Sequence, residues 1–374
     1  MAFIVTARKY RPQKFADVIG QEHITTTLKN AISSGRIAHA YLFTGPRGVG
    51  KTTSARILAK AINCSNLKDG EPCDECEMCL SIQNTQLMDI IEIDAASNRG
   101  IDEIRTLRES VKYAPTKGKN KVYIIDEVHM LTKDSFNAFL KTLEEPPSHT
   151  VFIFATTDVH RVPSTIISRC QRYDFRRIPV QSIKNLLKEI ASKEEIEIDD
   201  KALTMIAKKS FGGLRDAESF FDQAAAFCGN KIDYQTVVKI FNMIDESIYF
   251  KISDSILSKN FSSVFEITTK IFESGWDFQD FTDGLIEHFR NIITVVVTGK
   301  SDLIDSAEDF KTLYMNYKDE FNESDILRIL AYLNKFYQEL KFSQNHRLRT
   351  EVALLHLIGL EKSDTISNLL KQVS

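Results

Sequence analysis

The run Gly45-Pro46-Arg47-Gly48-Val49-Gly50-Lys51-Thr52 fills the phosphate-binding pattern G-x-x-x-x-G-K-[ST] without a departure. Ahead of it, Ala40-Tyr41-Leu42-Phe43 reads as a short buried strand, and Thr53 to Ile62 behind it reads as a helix. A strand that turns through glycines straight into a helix commits this part of the chain to a layered α/β arrangement. Gly45, Gly48 and Gly50 let the backbone fold tightly enough to aim successive N–H groups at phosphate oxygens. The helix N-terminus adds partial positive charge at the same point. In such a loop Lys51 is expected to reach the β- and γ-phosphates of ATP, and the Thr52 hydroxyl to ligate Mg²⁺.

Candidate strands at 40–43, 89–93, 121–125 and 151–155 alternate with helical stretches, the pattern of a parallel sheet with helices on both faces. A chain of 374 residues exceeds one ordinary core. All eight prolines fall at or before Pro179, and the sequence beyond is helical in pattern. Ile183, Leu186, Leu187 and Ile190 keep helical spacing, as do Ile326, Ile329, Leu330, Leu333, Phe336, Tyr337 and Leu340. The expected division is a nucleotide-binding α/β domain at 1–178, a small helical domain at 179–242 and an all-α body at 243–374. Trp276, Cys170 and Cys228 are expected to pack as ordinary buried residues. Met1 to Lys9 lacks a signal-peptide core and no apolar run approaches a membrane span, so a cytoplasmic location without membrane contact is the expectation. A net charge of −3 excludes a uniformly basic nucleic-acid coat; contact with DNA would need a local patch.

Lys121-Val122-Tyr123-Ile124-Ile125-Asp126-Glu127 is a second anchor: an apolar strand ending in two carboxylates. In open α/β sheets ligands gather at the C-terminal ends of strands. Asp126 is expected to hold Mg²⁺, and Glu127 to orient or deprotonate the attacking water. Cys64, Cys73, Cys76 and Cys79 follow C-x8-C-x2-C-x2-C. Four thiolates complete a tetrahedral, structural Zn²⁺ site between residues 64 and 79. A redox pair and an iron–sulfur cluster are rival uses of such thiols, but no electron-transfer signature accompanies them. Arg169, in Ser168-Arg169-Cys170, and Arg215, in Gly213-Leu214-Arg215-Asp216, suit surface ion pairs better than phosphate contact on spacing alone.

Taken in order, these motifs resemble the clamp-loader branch of the AAA+ family, most closely the gamma/tau subunits of bacterial DNA polymerase III. The resemblance also rests on Arg8-Lys9-Tyr10-Arg11-Pro12, Gly20-Gln21-Glu22-His23, Glu92 to Gly100, Asp126-Glu127-Val128-His129 and Leu143-Glu144-Glu145-Pro146-Pro147. It covers roughly residues 1 to 220; beyond 240 only the helical character is similar, to an assembly collar. The resemblance implies that Thr157, with Thr156 as the adjacent candidate, is the sensor 1 position, and that Arg215 is sensor 2. It implies that Arg169 is an arginine finger serving a neighbouring subunit's nucleotide, and that Val18 and Ile19 pack on adenine. It implies a pentameric assembly with delta and delta-prime subunits and further copies of this chain. That assembly opens a sliding clamp and loads it onto primed DNA.

The sequence stops at Ser374, short of the proline-rich linker of a tau form, so contact with the polymerase core is not expected of these residues. Arg99 and Arg105 follow the strand at 89–93 and are the basic positions nearest a possible DNA face, though Arg105 fits a solvated helix face better. Two other readings of the motor remain: a helicase or branch-migration ATPase, and an assembly subunit that binds nucleotide without catalysis.

Overall fold

The computed structural model describes residues 4–83, 89–97, 106, 107 and 109–361. Packing divides the chain into two compact units: Met1–Glu194 with Ile206–Ala226, and Glu195–Met205 with Phe227–Ser374.

The first unit is built on a five-stranded, all-parallel sheet: β1 (Ala40–Thr44), β2 (Ile90–Asp94), β3 (Lys121–Asp126), β4 (Thr150–Thr156) and β5 (Gln171–Asp174). Their spatial order is β2-β3-β4-β1-β5. The central strands are buried on both faces, which is why they read as unbroken apolar runs. Alternate residues feed two cores. Tyr41, Phe43, Ile124 and Ile153 face the helices Glu22–Ser33 and Lys51–Asn63 through Leu28 and Leu58. Leu42, Tyr123, Phe152 and Phe154 face Phe136 and Phe139 of the helix Lys133–Glu144. The expected parallel sheet with helices on both faces is therefore present.

The sequence reading anticipated four strands and missed β5. That strand lies at the edge, and only Tyr173 of its four residues is buried, so it carries no apolar run. The helix after the phosphate loop begins at Lys51, two residues before its expected start.

The second unit is helical apart from a two-residue parallel pairing of Glu197–Ile198 with Lys231–Ile232. Its long helices are Ser247–Ser258, Ser262–Glu273, Phe278–Thr298, Glu323–Leu340 and His346–Gly359. Ile326, Ile329, Leu333, Phe336 and Leu340 are the buried stripe of Glu323–Leu340, as their spacing requires. Trp276, Cys170 and Cys228 are half-buried, short of the full burial expected. Trp276 follows the αL turn at Gly275, where the chain leaves a helix and the ring keeps one side in solvent. Among the described residues no helix is long and apolar enough to cross a membrane.

Candidate functional site

The phosphate loop takes backbone angles that side chains oppose. Gly45, Gly48 and Gly50 have φ of 141°, 74° and 100°. A Cβ on Gly45 would lie 2.4 Å from the Phe175 carbonyl oxygen, so only glycine fits there. Gly50 in αL geometry then starts the helix, which points its free N–H groups into the loop. Lys51 is buried, and its ammonium donates to the carbonyls of Gly45 (2.8 Å) and Pro46 (2.7 Å). Burial lowers its pKa; the Glu127 and Asp126 carboxylates act in the opposite direction.

The second anchor meets the first. The Thr52 hydroxyl donates to Asp126 Oδ2 at 2.6 Å, across the boundary between helix and strand. Residues adjacent in function but distant in sequence thus converge where a Mg²⁺ ion would need oxygen ligands. Glu127 follows β3 with φ of 48°, an αL angle costly for a residue with a Cβ. The turn redirects its carboxylate, which accepts from the Thr157 hydroxyl at 3.0 Å and lies 3.4 Å from His129 Nδ1. Thr156 is buried, and its hydroxyl is engaged by the Asp158 N–H and carbonyl (3.0 Å each) and by His129 Nδ1 (3.1 Å). The two candidate threonines therefore face different partners. The sequence alone suggests no role for His129; its place beside Glu127 depends on the turn after β3.

An open cavity joins these groups. Its walls include Val18, Ile19, Val49, Ile178 and Leu214 together with Lys51, Thr52, Asp126 and Glu127. Val18 also belongs to the core, so cavity contact and core packing are compatible at that position. The helix Leu214–Cys228 reaches the loop directly: the Leu214 and Arg215 N–H groups donate to the Gly48 carbonyl at 2.8 and 3.3 Å. Gly213 permits this approach, because a Cβ there would come within 3.1 Å of the Arg47 carbonyl oxygen. Arg47 and Arg215 are exposed at the cavity rim.

Arg11 and Glu218 also line the cavity, and the sequence reading assigned neither a role. Burial and the nearby Arg56 and Arg215 lower the Arg11 pKa. Burial, reinforced by Asp222, pushes the Glu218 carboxyl up to about 7, against the pull of Arg11 and Arg215. The usable signal for Glu218 was its i+3 spacing from Arg215, which shares a helix face. Arg169 does not line this cavity; its guanidinium donates to Glu144 Oε1 and to the Thr165 carbonyl, both at 2.7 Å. Arg99 and Arg105 lie outside the described residues.

The four clustered cysteines come together as a knuckle after the helix Lys51–Asn63. The Sγ atoms of Cys64, Cys73, Cys76 and Cys79 all lie within 4.8 Å of one another. Asp69, Gly70 and Asp74 take positive φ to make the turns, and a Cβ on Gly70 would meet the Lys29 carbonyl oxygen at 2.6 Å. Burial raises the Cys64 and Cys79 thiols, whereas backbone N–H donors hold Cys73 low. At Cys76 burial also opposes ionisation, but N–H groups of Ser65 and Cys79 outweigh it and bring the thiol down to about 6. Four sulfurs at this spacing fit a tetrahedral divalent ion, whose charge would offset the repulsion among thiolates.

Three family models match successive parts of the chain. They are "DNA polymerase III, delta subunit" over residues 20–179, "DNA polymerase III clamp loader subunit, ATPase lid domain" over 182–230, and "DNA polymerase III subunits gamma and tau domain III" over 232–373. The chain is 41% identical to DNA polymerase III subunit tau of Bacillus subtilis (strain 168), covering 96% of this chain and 63% of that protein. It is 38% identical to DNA polymerase III subunit gamma of Buchnera aphidicola, covering 96% of this chain and 99% of that one. It is 46% identical to DNA polymerase III subunit tau of Escherichia coli (strain K12), over 70% of this chain and 40% of that protein. Among solved structures, the Thermotoga maritima RuvB Holliday junction branch migration motor aligns at 23% identity and a TM-score of 0.46, over 66% of this chain and 79% of that one. With identity sustained along almost the whole of a gamma subunit, and a phosphate loop on a parallel sheet, the chain belongs to the gamma/tau subunit family of DNA polymerase III clamp loaders.

Proposed function

We propose that this chain is an ATP-hydrolysing motor subunit of a clamp loader. With delta and delta-prime subunits and further copies of itself, it would open a sliding clamp in the cytoplasm and load it on primed DNA, hydrolysis then releasing the loader. The observation that carries this reading is the 2.6 Å contact between Thr52 and Asp126, which joins the phosphate loop to the acidic strand end.

In this reading residues 1–178 are the nucleotide-binding domain, 179–242 a lid and 243–374 a collar for assembly. Loop N–H groups and Lys51 hold the phosphates, with Lys51 exchanging the Gly45 and Pro46 carbonyls for phosphate oxygens. A Mg²⁺ held by Thr52 and Asp126 supplies charge neutralisation when bound. Glu127 takes a proton from water as the water oxygen bonds to the γ-phosphorus. The bond from that phosphorus to the β–γ bridging oxygen breaks, and ADP and phosphate leave. Thr157 orients Glu127 according to what occupies the γ position, and Arg215 reports the same event from the lid. Val18 and Ile19 pack against adenine. Arg169, anchored outside its own cavity, serves a neighbour's nucleotide, so an isolated chain hydrolyses ATP poorly. Cys64, Cys73, Cys76 and Cys79 hold a structural Zn²⁺.

The test mixes the chain with delta and delta-prime subunits, clamp, primed DNA and ATP. The parent should load clamp and Lys51→Ala should not; normal loading by the variant sinks the proposal. Strand separation without loading would instead favour a helicase, and loading without turnover an assembly subunit that only binds nucleotide.

A further inference from the structure

Within the nucleotide cavity one acid is left unused by the reading above. Glu218 is 6% exposed, yet among the described residues no hydrogen bond or ion pair reaches its carboxylate, although it lines the cavity. Its neighbour one turn on, Asp222, is fully employed: it accepts from the Thr6 backbone N–H at 2.8 Å and from the Thr6 hydroxyl. A carboxylate at a cavity wall that no protein donor occupies is free to accept a hydrogen bond from a ligand in that cavity. That donor cannot be a phosphate, which is anionic and accepts.

The position along the helix narrows the choice. Glu218 follows Arg215 by three residues, which at 1.5 Å per residue sets it roughly 4.5 Å farther from the phosphate loop. Apolar residues also line this cavity, among them Ala7, Pro12, Val18, Ile19 and Leu214. Such walls suit the planar base of a nucleotide better than its sugar. Beside the carboxylate stands Arg11, which lines the same cavity and lies close enough to act on Glu218 electrostatically. One acceptor and one donor therefore line the same cavity. The edge of adenine presents the complementary pair, an exocyclic N–H donor next to the N1 acceptor. A 6-oxo purine presents the reverse, an O6 acceptor next to an N1–H donor.

We propose that Glu218, with Arg11 beside it, reads the amino edge of the bound purine and makes this site selective for ATP over 6-oxo purine triphosphates. The inference rests on the nucleotide-binding reading of the site. A 6-oxo base would set its O6 lone pairs against the carboxylate and leave a buried donor and acceptor unmatched. Sites that depend on a specific buried hydrogen bond reject the wrong partner strongly. Glu218→Gln keeps the size of the side chain but can present either an amide oxygen or an amide N–H, so it should accept both edges.

The experiment measures dissociation constants for Mg²⁺ complexes of ATP, ITP and 3′-deoxy-ATP with the parent chain, Glu218→Gln and Glu218→Leu. Melting curves confirm that each variant is folded. The expected result is a parent preference for ATP over ITP that falls by about tenfold or more in Glu218→Gln, ATP weakening while ITP tightens. Glu218→Leu should weaken ATP without tightening ITP. An unchanged ATP-to-ITP ratio in Glu218→Gln overturns the inference while leaving nucleotide binding intact. A change confined to the ratio of ATP to 3′-deoxy-ATP would assign the carboxylate to a sugar hydroxyl and overturn it equally. If the parent binds none of the three, the nucleotide reading itself fails first.

Discussion

The Thr157 hydroxyl donates to the Glu127 carboxylate across 3.0 Å, joining the end of β4 to the turn after β3. In the proposed mechanism Glu127 is the acid that activates water, and there this contact would hold the proton acceptor in a defined orientation. Thr156, one residue earlier, points the other way and supports the Asp158 backbone.

Removing each hydroxyl should therefore have separable effects. Thr157→Ala should retain ATP binding and lose roughly 10- to 100-fold in turnover in the assembled loader, about 1.4–3 kcal/mol of barrier. Thr156→Ala should destabilise the fold by about 1–2 kcal/mol, because a buried hydroxyl that serves the Asp158 turn is lost. Steady-state hydrolysis and thermal melts on both variants check this. A turnover defect confined to the Thr156 variant, with normal melting, would reverse the assignment.

Arg169 is tethered to Glu144 at 2.7 Å and lies apart from its own chain's cavity. Arg169→Ala should leave nucleotide affinity of the isolated chain unaltered and abolish hydrolysis stimulated by clamp and primed DNA. The arginine's partner offers a control: Glu144→Gln should keep stimulated hydrolysis, since a half-exposed ion pair contributes only about 0–1 kcal/mol. Weakened nucleotide binding by the isolated Arg169 variant would show that the guanidinium acts in cis.

The cysteine knuckle should release its metal on loss of one ligand. Cys76→Ser is expected to carry no stoichiometric zinc by native mass spectrometry, while the phosphate loop still binds ATP. Metal retention in the parent should fall on acidification, as protons compete with the metal for the four thiolates. Full zinc content in the variant would remove the assignment.

In the helical unit His288 sits wholly buried, its ring nitrogens bonded to the Ser253 hydroxyl at 2.7 Å and the Tyr314 hydroxyl at 2.9 Å. Burial lowers its pKa to about 3, so the folded chain binds the neutral ring. The unfolded chain takes up a proton near pH 6.5. Stability from this residue is thus complete above that pH and is lost as pH falls toward 3, at roughly 1.4 kcal/mol per unit. His288→Phe should be less stable than the parent at pH 7.5, by about 1–3 kcal/mol, because two buried hydroxyls lose their partner. The difference should narrow by pH 5, as only the parent titrates. Denaturant unfolding at both pH values measures the two gaps; equal gaps would contradict a buried neutral ring.

Much of this molecule is written locally in its residues. The loop from Gly45 to Thr52, the acids ending β3 and the C-x8-C-x2-C-x2-C spacing each depend on backbone geometry within a few residues, so their chemistry is legible without a fold. The parallel sheet was legible too, because strands buried on both faces must be continuous apolar runs. The edge strand β5 was not, since exposed positions tolerate Gln171, Arg172 and Asp174.

What folding alone decided is direction and company. Adjacent threonines in β4 and its exit face opposite partners, so choosing between Thr156 and Thr157 needs the position of Glu127. Arg11, Val18, Thr52, Asp126 and Glu218 surround one cavity from five separate stretches of sequence, and nothing in their local spacing reports that meeting. The residues of Gly45 to Thr52 by themselves specified a phosphate cradle. The tertiary structure brought the acids ending β3 against that cradle and set Glu218 in the wall of the same cavity, because such meetings are made by long-range packing, which pattern along a chain cannot encode.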